Sequence, residues 1–274
     1  MLSNNQVDFF NNNGYLLIDN FFTSKELNDF RESYRKVIQA YLSKTAQSQL
    51  EINPKDFVGK EFDEGMKKLE EIDHGIIAEI YDLTYQLPEF LRIVGKNEIT
   101  ECINQLLNLK PNSPLYTFTC RCRIDPPSDN RRTYGWHQEV FYSIPESEFL
   151  QTWAPLIRDT TIENGTIEVC SGSHQEGIPL QSWEEAKERA TQIIIDDKIV
   201  QKYNQKKIEM KLGQLLIFSS RLFHKSGKNT SKQIRYSLVG MYHNIGYKNF
   251  RAPEMILKLR NESSHEYYKR IMKK

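Results

Sequence analysis

The period of the apolar residues changes once along this chain, near residue 112, and that change limits the fold more than any other feature. Before it the pattern is mostly helical. Leu27, Phe30, Tyr34, Val37, Ile38, Tyr41 and Leu42 recur at three-four spacing behind Thr23 or Ser24, either of which can cap a helix. Further helical stretches fall near residues 64–72 and 75–86, and another, Pro88 to Leu107, opens with proline at a tolerated first-turn position. One extended piece interrupts them, Tyr15-Leu16-Leu17-Ile18 after Gly14. Beyond the change, strand-length runs follow one another: Tyr116–Ile124, Glu139–Ser143, Leu150–Ile157, Thr166–Val169, Leu215–Ser219 and Ile234–Tyr242. The separators (Pro126-Pro127-Ser128-Asp129-Asn130, Asn164-Gly165, Gly172, Gly227-Lys228-Asn229) are turn chemistry. Many short strands in series specify a β-sandwich or jelly roll.

The expected class is therefore α+β with a mainly β core: helices over about 1–112, a jelly roll over about 113–250 and a tail over 251–274. No internal repeat or low-complexity linker marks a boundary, so a single domain is expected. Residues 182–205, rich in Glu and Lys around Trp183, read as an inserted surface helix or loop with a solvated charged face.

Composition excludes several classes. With 274 residues, 39% hydrophobic and 27% charged, the chain has apolar material for a sizeable core. Its 37 basic and 36 acidic residues leave a net charge of +1, which speaks against a nucleic-acid or membrane-surface partner. No apolar run approaches bilayer-spanning length. The opening MLSNNQVDFFNNNG lacks a basic segment followed by an apolar stretch, so a cytoplasmic location is expected. Four cysteines (Cys102, Cys120, Cys122, Cys170) are too few and too scattered for a disulfide scaffold, and the pair Cys120/Cys122 reads as small core filling.

Chemistry concentrates in Gly135-Trp136-His137-Gln138-Glu139, with His224 and Arg235 far downstream. On an extended strand, His-X-Glu points an imidazole and a carboxylate to one side. A second imidazole from another strand completes a 2-His-1-carboxylate face, which suits Fe(II) and leaves positions open for co-substrate and O2.

These residues carry a family resemblance. The start DFFNNNGYLLIDNFFTSKELNDFRESY, the WHQE block behind a Pro-rich turn, LQTWAPLIRDTTIENGTIEVCSGSH and LIFSSRLFHKSGKNTSKQIRYSLVGMY resemble the phytanoyl-CoA dioxygenase family of Fe(II)- and 2-oxoglutarate-dependent oxygenases. The resemblance runs from about Val7 to Tyr242 and implies a double-stranded β-helix (a jelly roll) flanked by helices. It places His137, Glu139 and His224 at the metal-ligand positions, with Glu139 where the family usually has Asp. The longer side chain keeps the charge and the donor oxygen but shifts the metal or tilts the carboxylate. A halogenase is disfavoured, because such relatives lose the carboxylate.

The resemblance also assigns Arg235 to the far carboxylate of 2-oxoglutarate, with Ser226, Trp153 and Thr119 beside the co-substrate. Arg235 lies eleven residues after His224, and a hairpin around Gly227-Lys228-Asn229-Thr230 would set the two nearly opposite each other. A guanidinium fork matches a carboxylate, although an arginine in isolation is as readily half of a structural ion pair. In Tyr116–Ile124, Phe118, Cys120, Cys122 and Ile124 alternate with Thr117, Thr119, Arg121 and Arg123. Period two puts the first set on an apolar face and the second on a polar one. The family's corresponding strand lines the cavity mouth, so Arg121 or Arg123 meets an anionic group of co-substrate or substrate, or else this face meets solvent. Gln138, Tyr142 and Glu168 are further candidates for the cavity wall.

The other histidines read as structural: His174 in a Gly-Ser-His turn, and His74, His243 and His265 without partner spacing. Cys170 and His174 are too close in sequence to make a nucleophile pair. The implied activity is oxidative decarboxylation of 2-oxoglutarate coupled to hydroxylation of a small-molecule substrate. The competing readings are a non-catalytic metal-binding jelly-roll protein and a cupin-like metalloenzyme that needs no oxoacid. Residues 43–75 and 182–205 are placed to cover the mouth as lids, and neither the substrate nor the oligomeric state is written in the sequence.

Overall fold

The chain opens with helix α1 (Asn4–Asn13), started by a capping box between Ser3 and Gln6 and closed by Gly14 in the left-handed conformation, φ 79°. The computed structural model describes residues 1–44, 60–129, 133–179, 181–186, 189–252 and 269–272. Five more helices precede the β region: α2 (Ser24–Lys44), α3 (Lys60–Ile72), α4 (His74–Thr84), α5 (Pro88–Val94) and α6 (Asn97–Leu106). The stretch from Pro88 to Leu107 is thus two helices, not one. Gly95 closes α5, donating back to Leu91 O, and the neighbouring Lys96 ammonium is drawn to Glu26 at 2.5 Å.

The strands are β1 (Tyr15–Ile18), β2 (Leu115–Asp125), β3 (Phe149–Pro155), β4 (Ile167–Ser171), β5 (Gln181–Ala186), β6 (Arg189–Ile195), β7 (Asn204–Ile208), β8 (Leu215–Ser219), β9 (His224–Ser226) and β10 (Arg235–Asn244). They form a five-stranded sheet in the order β1-β8-β3-β10-β2 and a three-stranded sheet in the order β7-β4-β9, all pairs antiparallel. A separate hairpin pairs β5 with β6, and the short helix α7 (Asp197–Val200) follows it.

Two apolar layers hold these elements together. Phe30, Tyr34, Phe90 and Ile99 of the helices bury against Cys122, Ile124, Ala154, Tyr236 and Leu238 on one face of the large sheet. On its other face, Trp153, Leu216, Phe218 and Val239 meet Ile167 and Val169 of the small sheet. The result is a helix layer, a large sheet and a small sheet, with a mostly antiparallel β core. Polar bolts fix the helix layer: the Arg31 guanidinium donates to Leu156 O and Ile157 O, and Arg158 pairs with Asp63 at 3.0 Å, both buried. No helix among the described residues is long and apolar enough to cross a membrane.

Four local expectations change. Glu139–Ser143 is not a strand; Glu139–Phe141 winds into a 3-10 turn that buries Val140 and Phe141 against Phe149, Ile193 and Met241. Residues 182–205 are not an inserted surface helix or loop but most of the β5–β6 hairpin, α7 and the start of β7, with Gln192, Ile193 and Ile195 buried. The sheet register shifts between Val239 and Met241, where β2 carries an extra residue around Thr119 (φ 52°). Phe118 therefore pairs with Met241 and turns to the same side as Arg121 and Arg123, away from Cys122 and Ile124. Finally, 224 and 235 are not hairpin partners: β9 pairs with β4 in the small sheet, and β10 pairs with β2 and β3 in the large one. The loop between them crosses from sheet to sheet. The lid expected over 43–75 lies mainly outside the described residues, as does His265.

Candidate metal centre

His137 and His224 face each other across a single antiparallel bridge, exchanging backbone hydrogen bonds at 3.0 and 3.1 Å, which extends the small sheet by one segment. Gln138 stays extended (φ −114°, ψ 143°), and Glu139 then enters the 3-10 turn, its N–H bound to Ser220 O. The two imidazoles lie with ring centroids 4.2 Å apart, and Glu139 Oε2 stands 3.8 Å from His137 Nε2 and 3.5 Å from His224 Nε2. One donor atom from each residue falls within 4.8 Å of the others, and all three residues are buried. The extra methylene of Glu139 does not keep its carboxylate from this cluster.

The hydrogen bonds around the cluster choose the donor atoms. His137 Nδ1 donates to Gly135 O at 2.7 Å and His224 Nδ1 to Leu222 O at 2.9 Å. A carbonyl only accepts, so each Nδ1 carries the proton and each Nε2 presents its lone pair inward, the tautomer that metal ligation needs. Tyr134 and Tyr142 pack on the His137 ring and Phe218 on the His224 ring, holding both rotamers. Burial, reinforced by the neighbouring His224, lowers the His137 pKa to about 3, so this imidazole is neutral at physiological pH. Burial alone would raise the Glu139 carboxyl; the contact with His224, the two imidazoles and a 3.1 Å bond from Gln151 Nε2 outweigh it and keep the group ionised. Two neutral imidazoles and one carboxylate on one side fit a divalent iron with open positions.

The cluster lines a cavity of about 390 Å³ whose wall includes Tyr81, Thr119, Arg121, Arg123, Trp153 and Ser226. Tyr142 is also on this wall, although its hydroxyl accepts the Ile193 N–H. Arg235 is not: it is buried behind Arg123 and paired with Asp125 at 2.9 Å. Two expected wall residues point elsewhere. Gln138 turns outward and ties Gly177 O and Arg221 O, and Glu168 faces away from Ile167 and Val169 to meet Lys225 at 3.4 Å.

Sequence reasoning missed four residues here. Tyr81 reaches the cavity from α4, where a helical pattern gives no hint of it. Gln151 was readable, as a polar residue alternating with Leu150 and Thr152 in a wholly buried strand. Asp125 is the direct cross-strand partner of Arg235. Gln192 accepts from Gly135 N at 3.0 Å and donates to Thr133 O at 2.8 Å, bracing the peptide that holds His137. The remaining histidines stay outside: His174 packs under Gly14, His74 sits by Glu70 on the surface, and buried His243 lies between Ser143 and Ser147. Burial pushes the Cys170 thiol up to about 12, which removes it as a nucleophile.

Comparison with known proteins agrees with this geometry. A probable phytanoyl-CoA dioxygenase of Caenorhabditis elegans is 24% identical over 252 residues, covering 89% of this chain and 76% of that protein. Among solved structures, EctD from S. alaskensis with 2-oxoglutarate and 5-hydroxyectoine matches with a TM-score of 0.62 at 16% identity, over 97% of this chain and 83% of the other. The non-haem alpha-ketoglutarate-dependent carbocyclase SnoK from nogalamycin biosynthesis matches with a TM-score of 0.58 at 19% identity, over 89% and 84%. Both likenesses establish a shared fold. The family model for phytanoyl-CoA dioxygenase (PhyH) matches residues 10–237, so the chain belongs to that family of non-haem iron, 2-oxoglutarate-dependent oxygenases.

Proposed function

We propose that this protein hydroxylates a small anionic substrate on a jelly-roll scaffold, with Fe(II) held by His137, Glu139 and His224 and with 2-oxoglutarate and O2 as co-substrates. The convergence of three buried donor atoms within 4.8 Å at the wall of a cavity carries this reading. Fe(II) and 2-oxoglutarate, when bound, supply oxidative decarboxylation by O2 to succinate and CO2 together with the oxidising power for a substrate C–H bond. The protein's part is positional. Gly135 O and Leu222 O fix the imidazole tautomers, and Gln151 steadies the Glu139 carboxylate. Trp153 and Phe218 give the cavity an apolar floor, while Ser226 and the arginines of β2 make its cationic side. Arg121, exposed at this wall with the Tyr81 and Tyr134 rings also lining it, is the group for a substrate anion.

The test is anaerobic titration with Fe(II) and then 2-oxoglutarate, following the weak visible band of the metal-bound oxoacid. Admission of O2 should release succinate, and His137→Ala and His224→Ala should abolish both signals. A wild-type protein without the band, indistinguishable from His137→Ala, would refute the reading.

A further inference from the structure

Asp125 stands directly opposite Arg235 in the β2–β10 register, two residues along the same face from Arg123. Its two oxygens are divided between two guanidinia: Oδ1 is 2.7 Å from Arg123 Nη2, and Oδ2 is 2.9 Å from Arg235 Nη2. Arg123 Nη1 also donates to Ser226 Oγ at 3.2 Å. Arg235 Nη1 is directed at Asn164 O and Gly227 O, at 3.4 and 3.3 Å, and its Nε is buried without a partner. Asp125 and Arg235 are both almost fully buried, and only Arg123 and Ser226 of this group line the cavity.

Two guanidinia and one carboxylate leave a single buried positive charge. Such a charge is costly without a counter-ion. The vacancy is one carboxylate, and the guanidinium that can meet it from the cavity is Arg123. We infer that Arg123, with Ser226, takes the far carboxylate of the oxoacid, and that Asp125 is a positioning residue that ties Arg235 in behind Arg123 and trims the site to one net positive charge. This rests on the 2-oxoglutarate reading above. Arg235 then acts through Asp125 and does not touch the co-substrate. Without Arg235, Asp125 confronts Arg123 alone, cancels its charge and repels the incoming carboxylate.

The experiment is anaerobic binding to the Fe(II)-loaded protein, read from the same visible band, with 2-oxoglutarate and with pyruvate, which lacks the far carboxylate. Arg123→Gln should weaken 2-oxoglutarate on the order of 100-fold while leaving pyruvate unchanged. Arg235→Gln should weaken 2-oxoglutarate roughly tenfold or more, and Asp125→Asn in that background should restore most of the loss. Wild-type 2-oxoglutarate affinity in Arg123→Gln overturns the inference. So does an Arg235→Gln defect of equal size with Asp125 or Asn at 125, because a direct contact is indifferent to that change. Thermal unfolding of each variant checks its fold. Should Arg235→Gln fail to fold, the ratio of 2-oxoglutarate to pyruvate affinity in Arg123→Gln decides alone. A wild type that binds neither oxoacid brings down the parent reading and this inference with it, an outcome distinct from a binding wild type with an unaffected Arg123→Gln.

Discussion

Replacing Gln192 by alanine would remove the brace between the β5–β6 hairpin and the loop that carries His137. Gln192 is 1% exposed, and its amide satisfies Gly135 N at 3.0 Å and Thr133 O at 2.8 Å. A buried polar group left without its partner costs about 1–3 kcal/mol, so the two together destabilise the fold by about 2–4 kcal/mol. For a chain of this length that lowers Tm by roughly 5–10 °C. The loss reaches the metal as well, since Gly135 O is the acceptor that orients His137 Nδ1. Disturbing such outer partners typically weakens metal affinity by about 10–100-fold, and the more remote Gln192 belongs at the lower end. Two measurements test this: thermal unfolding of the metal-free protein, and titration with Co(II) followed by its visible spectrum. Gln192→Glu, which still accepts from Gly135 but no longer donates to Thr133, should fall between wild type and Gln192→Ala. An alanine variant with wild-type Tm and wild-type Co(II) affinity would show that the hairpin merely rests on the metal loop.

Three further outcomes follow from the same contacts. Gly165→Ala places a Cβ at φ 81°, against Gly227 O and 2.7 Å from Arg235 Nη1, so denaturant unfolding should report a loss of about 2–4 kcal/mol. Arg158→Met leaves the buried Asp63 carboxylate unpaired and should cost about 3–5 kcal/mol in the same assay, whereas Arg158→Met combined with Asp63→Leu should recover most of it. Burial raises the Asp125 carboxyl, but Arg123 and Arg235 outweigh it and hold it at about 2. A lowered carboxyl stabilises the fold above its unfolded value of about 4 and loses that contribution as pH falls toward 2, an amount of about 2 kcal/mol. Asp125→Asn should flatten the stability profile across that window, and an unchanged profile would contradict the pairing.

The period change near residue 112 was enough to separate helices from strands because each half buries one continuous stripe. Leu27, Phe30, Tyr34, Ile38 and Leu42 are buried on α2, and β8 spans Leu215–Ser219 as its apolar run implies. Glu139–Phe141 reads as a strand because Val140 and Phe141 are apolar, yet a tight turn buries them just as well. The hairpin was hidden by composition: charged residues around Trp183 mask the short apolar alternation at Ile193 and Ile195. His137, Glu139 and His224 were legible through residue type and order. The position of Arg235 was not, since an eleven-residue spacing cannot tell a hairpin from a crossover between two sheets. Asp125 was likewise invisible, because its partner lies 110 positions away.

The extra residue in β2 has a consequence for how this strand can vary. It keeps Tyr116 and Phe118 on the same side as Arg121, Arg123 and Asp125 although the two groups are out of phase by one. Straightening the strand with every residue retained would turn one group over. Either two aromatic rings would leave the cavity side, or two guanidinia and a carboxylate would be driven into the layer now filled by Cys122, Ile124 and Tyr236. The second is prohibitive, so electrostatics pins the irregularity in place. Length variation here is correspondingly lopsided. Deleting Thr119 simply regularises the ladder and leaves both groups facing inward, whereas the same deletion at Cys122 inverts one of them.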